Sequence, residues 1–145
     1  MNTRSFALYF GILFLLAGIA GFIPAFLREP LAHHPPMAVD EGYGRLFNLL
    51  PVNILHNLVH ILFGIWGLLA FRRFSAALFY ARSVAIAYAL LAVIGLIPGL
   101  NTLFGLVPLF GHDVWFHALL ALVAAYFGFI QKPQEDRKTA YPEQS

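Results

Sequence analysis

The chain has no cysteine. That excludes disulfides, thiolate metal ligands, c-type haem attachment and iron–sulfur ligation by its own residues, and leaves the redox compartment open. Charge is scarce as well. Only 11% of the 145 residues are Asp, Glu, Lys or Arg, against about 25% in a soluble domain. Hydrophobic residues make up 60%, against about 45–50%. This balance places the chain among membrane proteins before any motif is read. The sequence also lacks a phosphate-binding glycine loop, a nucleotide fingerprint, paired catalytic carboxylates and a Ser–His–Asp arrangement, so no catalytic residues are assigned. The net charge of +2 does not indicate nucleic acid, because the basic residues sit at the ends of apolar stretches and form no stripe.

Four apolar stretches are long enough to span, a crossing helix needing about 20 residues. They run from Ser5 to Leu27, from about Pro51 to Phe71, from about Ser75 to Pro98 and from about Asp113 to Ile130. The first has a basic start and several small residues, as a signal peptide does. Its apolar core exceeds the roughly 7–15 residues of such a segment, so it reads as a retained helix. Residues 1–130 are expected to form one transmembrane domain. Residues 131–145, polar with two prolines, read as a disordered cytoplasmic tail.

Orientation follows from Lys and Arg. Arg4, Arg72, Arg73, Arg82, Lys132, Arg137 and Lys138 fall on one side, and Arg28 and Arg45 on the other. Both termini are therefore expected in the cytoplasm. Arg72, Arg73 and Arg82 are candidates for binding anionic lipid headgroups.

The two halves read as copies, about 5–71 and about 75–130. Gly21-Phe22-Ile23-Pro24 matches Gly95-Leu96-Ile97-Pro98, and Leu46-Phe47-Asn48-Leu49-Leu50-Pro51 matches Leu103-Phe104-Gly105-Leu106-Val107-Pro108. Continuing the second match without a gap sets His56 against Asp113 and His60 against His117. The repeat is parallel, with a pseudo-two-fold axis along the membrane normal. Each proline is expected in the first turn of the following helix, where its missing N–H costs nothing.

One polar cluster stands out. Asn53, His56, Asn57 and His60 occur at i, i+3, i+4 and i+7, hence on one helical face, and Gly64 and Gly67 extend the stripe. Asp113 and His117 are likewise i, i+4. Lipid offers polar groups no partners, so both faces should turn inward. His56, His60, His117 and Asp113 form a ligand set suited to zinc or another transition metal, with Asn53 and Asn57 as supports that orient the imidazoles. The competing readings are a purely structural hydrogen-bond network, with Asp113 as a helix cap, and ligation of haem or chlorophyll, for which four short helices leave little room. His33 and His34, ahead of Pro35 and Pro36, read as solvated loop residues, or else as a cap over the cluster.

The segment from Leu46-Phe47 through Pro51-Val52-Asn53, His56-Asn57-Leu58-Val59-His60 and Phe63-Gly64 resembles a family of small bacterial four-helix membrane proteins catalogued as domain of unknown function 4383. The segment from Leu103 to His117 resembles the same family's repeat, with Val114 after Asp113 where an Asn would complete the likeness. The resemblance covers nearly all of the chain except the tail. It implies a bacterial membrane protein and brings no activity.

The expected fold is an all-α integral membrane four-helix bundle made of two repeated transmembrane hairpins. The expected role is a non-enzymatic accessory or scaffolding module in a bacterial inner membrane, or another energy-transducing membrane. Its expected partners are lipid and either other membrane subunits or copies of itself. The alternatives are a metal-dependent intramembrane hydrolase and a haem- or pigment-ligating subunit of a larger complex.

Overall fold

A computed structural model describes residues 1–131. The tail expected to be disordered, with Lys132, Arg137 and Lys138, lies outside the described residues. Four helices make up most of the remainder: α1 (Thr3–Ala20), α2 (Ile54–Ala70), α3 (Phe74–Leu96) and α4 (His112–Ala125). A π-helical turn, Tyr126–Ile130, prolongs α4. Three of these are long and apolar enough to cross a membrane: α1, α3, and α4 with its π turn.

The second is shorter. α2 has 17 residues, about 25 Å at 1.5 Å per residue, because Pro51 and Val52 belong to a strand. Asn53 caps the helix instead, its side chain accepting the His56 backbone N–H at 3.0 Å. The first stretch also breaks early: α1 stops at Ala20, and Pro24–Phe26 form a 3-10 turn. Neither Pro51 nor Pro108 sits in a first helical turn. Pro51 is in the strand, and Pro108 is in the loop before Gly111, the residue that precedes α4.

The fold is therefore not all-α. Three short strands, β1 (Leu27–Arg28), β2 (Gly44–Leu46) and β3 (Leu50–Val52), form an antiparallel sheet in that order. Leu27 pairs with Leu46, and Gly44 with Val52. The segment from Ile23 to Asn53 must return across the end of the bundle, and pairing its extended stretches gives its peptide groups partners. Two loops also clasp each other, the Ala38 and Val39 N–H groups both donating to the Gly105 carbonyl at 2.9 and 3.0 Å.

The core lies between the helices. Phe6, Phe14, Tyr80, Val84, Tyr88 and Ala124 are almost fully buried in one continuous cluster. α1 and α2 pack closest, through glycines. A Cβ on Gly67 would lie 2.7 Å from Gly11 Cα, and one on Gly11 would lie 2.9 Å from Leu68 N. Small residues at this seam let two backbones meet where lipid supplies no hydrophobic drive.

The basic residues sort by end. Arg4 donates from Nε to the Phe71 carbonyl at the end of α2 at 2.9 Å, and Arg82 donates to the Gly128 carbonyl in the π turn at 2.8 Å. Arg72 and Arg73 lie exposed in the α2–α3 turn at that same end. Arg28 and Arg45 are paired across the sheet at the other. The two Leu-Phe turns share an unusual backbone. Phe47 and Asn48 have φ of 50° and 61°, and Phe104 and Gly105 have φ of 59° and 84°; Leu103 adds a φ of 44° where its counterpart Leu46 is in β2.

Gly67→Leu is expected to cost about 1–3 kcal/mol by overpacking the α1–α2 seam. Leu69→Ala, on the exposed face of the same turn, should change stability by no more than about 0.5 kcal/mol. Reversible unfolding in mixed detergent micelles checks both.

Candidate metal centre

Helical spacing puts the polar residues of α2 on its inward face. Asn53, His56 and Asn57 are buried, and His60, one turn deeper, is half-buried. On α4, Asp113 and His117 are each 2% exposed. The two rows meet. His56, His60 and His117 each offer a ring nitrogen, and the three atoms lie within 4.8 Å of one another. The His56 ring centroid is 4.6 Å from that of His60 and 6.0 Å from that of His117.

Asp113 is not a corner of this triangle. Its Oδ2 lies 3.4 Å from His117 Nδ1, close but not aligned as a hydrogen bond, and neither atom has another partner among the described residues. Asp113 does not cap α4 either; that position belongs to Gly111, and Asp113 sits in the first turn.

Asn53 and Asn57 direct their amides elsewhere than expected. The Asn53 N–H groups donate to Val39 O at 2.9 Å and to Leu106 O at 2.7 Å. The Asn57 N–H donates to Gly21 O at 2.9 Å, just past the end of α1. Both therefore fix backbone around the histidines. A free peptide carbonyl in an apolar interior is a stronger claimant than an imidazole whose donors are few.

The buried atoms without partners concentrate here. Nδ1 of His56, His60 and His117, and Oδ2 of Asp113, have no hydrogen-bond partner among the described residues. Such groups are rare and costly, at about 1–3 kcal/mol each, and each calls for an explanation. A bound cation supplies one. Three imidazoles with a carboxylate behind one of them is a donor set for zinc, copper, iron or nickel.

Two aromatic walls escaped the sequence reading. The Tyr88 ring on α3 stands edge-on to His117 at 4.9 Å, and Phe14 on α1 stacks against His60 at 5.6 Å.

His33 and His34 line a separate cavity with Arg45 and His112. His34 is half-buried, its ring 4.9 Å from Phe110. Burial, then the neighbouring His33, then Arg45 lower its proton affinity. Arg72 and Arg73, in the α2–α3 turn, and Arg82, beside the π turn, stand at the opposite end of the bundle from the sheet.

A family model described as Domain of unknown function (DUF4383) matches residues 4–130, and the chain belongs to that family. No curated protein and no solved structure matches it.

Two outcomes follow from this geometry. Asn53→Ala removes a helix cap and two loop ties and should destabilise by at least about 1–2 kcal/mol. Asn53→Asp keeps the cap acceptor but sets a buried carboxyl oxygen against the Val39 and Leu106 carbonyls and should destabilise at least as much; unfolding in detergent ranks the three proteins. A lowered His34 affinity means that the folded state prefers the neutral ring. The associated stability is present above pH about 6.5 and is lost as pH falls through the folded value. An NMR titration of His34 should therefore show a midpoint below that of a free histidine.

Proposed function

We propose that this member of the family is a membrane-embedded module that holds one transition-metal ion on His56, His60 and His117. The observation that carries it is the triangle of ring nitrogens within 4.8 Å, from two helices, in a region where their Nδ1 atoms lack partners. Zinc binds imidazole at about 2.0–2.1 Å, so the ring nitrogens would draw closer together on binding it. Asp113, beside His117 Nδ1, acts as the carboxylate that orients a ligating histidine and raises its basicity. Asn53 and Asn57 anchor the frame.

The same reading gives four membrane crossings with both termini on the cytoplasmic side. Arg4, Arg72, Arg73 and Arg82 gather at one end and suit a surface of anionic headgroups, while the metal lies toward the other, sheet-covered end. A bacterial inner membrane fits the family. Two duplicated hairpins account for the architecture, and the matched left-handed turns at Phe47-Asn48 and Phe104-Gly105 support the duplication, since bulky residues rarely adopt that backbone by chance. The module serves as an accessory unit within the membrane, alone or beside other subunits.

A specific observation favours a second reading, a metal-dependent hydrolase. Three protein ligands leave a coordination position open, as catalytic zinc sites do, and His56, His60 and Asp113 line a cavity. In that case the metal would activate water and Asp113 would manage its proton.

The test is metal content. Protein purified in mild detergent, on a tag free of histidine, should carry about one zinc or other transition ion per chain. His60→Ala and His117→Ala should lose it, and Asp113→Asn should bind roughly 10–100-fold more weakly. Wild-type protein without metal, or full occupancy in both alanine variants, ends the proposal.

A further inference from the structure

At one end of the bundle α1 meets the π turn that prolongs α4. There Thr3 Oγ1 donates to the Phe127 carbonyl at 3.2 Å, and the Phe6 and Phe127 rings stack at 5.0 Å. Toward the sheet a cavity of about 440 Å³ lies between α1 and α4. Leu13, Leu16, Ala17 and Ala20 of α1 form one side, and Phe116 of α4 the other. The sheet contributes Leu46 and Val52 above, and His56, His60 and Asp113 stand at the back. Leu13, Leu16 and Phe116 are exposed on the outer surface, so the cavity opens sideways, toward the hydrocarbon of a surrounding bilayer.

Three facts define an occupant. The volume is that of a ligand site, about 300–1,000 Å³. The walls are apolar, whereas the back carries His56 Nδ1, His60 Nδ1 and Asp113 Oδ2, buried and without partners among the described residues. Among the described residues no lysine or arginine lines it, so none of them suits a phosphate group. The fitting molecule is a hydrocarbon chain ending in an uncharged head that bears a carbonyl.

We propose that this cavity is a lateral binding site for one acyl chain of a bilayer lipid, with the lipid's ester or amide carbonyl seated against His56 and His60. The apolar part of the site stands independently; the contact at the head rests on the metal reading above, since each of those imidazoles would give one ring nitrogen to the ion and donate the N–H of the other to the carbonyl, while Asp113 stays beside His117. A second cavity, between α3 and α4, is lined by Ala85, Ala89, Ala92 and other apolar residues, with no histidine or acid among the described residues. It provides the control.

The probe is a palmitoyl methyl ester with a photoactivatable diazirine in mid-chain, applied to the full chain in lipid nanodiscs, zinc-loaded and chelator-stripped. Adducts should concentrate between Leu13 and Ala20 and at Phe116. Ala17→Trp should cut that labelling roughly tenfold by filling the space, with metal content unchanged; Ala89→Trp should leave it intact. If Ala17→Trp fails to fold, the wild-type adduct map decides alone. Adducts spread evenly over the lipid-facing residues of all four helices overturn the proposal. Focused labelling of protein that never binds metal keeps the lipid site and removes the ion, whereas bound zinc with scattered adducts does the reverse.

Discussion

Hydrocarbon contains no water to satisfy a peptide group or a polar side chain, and each must find its partner within the protein. That requirement shapes the end of the bundle where the loops lie. Asn53 closes α2 and ties down both loops, through Val39 and Leu106. Asn57 takes the carbonyl of Gly21 where α1 ends. The segment from Leu27 to Val52 pairs with itself as a sheet. At the other end Arg4 and Arg82 serve carbonyls at helix termini. Among the described residues the buried polar atoms left without partners are His34 Nδ1 in the loop cavity and a cluster of five on α2 and α4, Nδ1 of His56, His60 and His117 with Asn57 Oδ1 and Asp113 Oδ2, and such a concentration calls for an explanation.

The helices were legible because long apolar stretches report themselves by length alone. The i, i+3, i+4, i+7 spacing of Asn53, His56, Asn57 and His60 also revealed a shared face, and that face is turned inward. The ungapped register of the two Leu-Phe-x-Leu-x-Pro segments set His60 against His117, two residues that meet across the bundle. The sheet was not legible. Strands of two or three residues leave no periodic trace, and Pro51-Val52 looked like more of the same apolar run. What decided their conformation was the backbone's need for partners, a tertiary demand that no local pattern encodes. The roles of the asparagines were missed for the same reason: spacing places a side chain on a face but does not choose its hydrogen-bond partner.

The close approach of α1 and α2 has a consequence for the site. Gly11 and Gly67 let these helices meet, which presses α1 to the α2 face and brings Phe14 onto His60. Tyr88 bounds His117 from α3. The imidazoles are thereby walled by aromatic rings on two sides, and His56 and His60 also line the cavity between α1 and α4.

The central claim is that imidazoles from α2 and α4 converge on one ion. X-ray absorption spectroscopy of the zinc-loaded protein tests it most directly. The expected edge and fine structure are fitted by three imidazole nitrogens at about 2.0–2.1 Å, with the ring multiple-scattering features of histidine. A first shell of oxygen alone, without imidazole scattering, would contradict it.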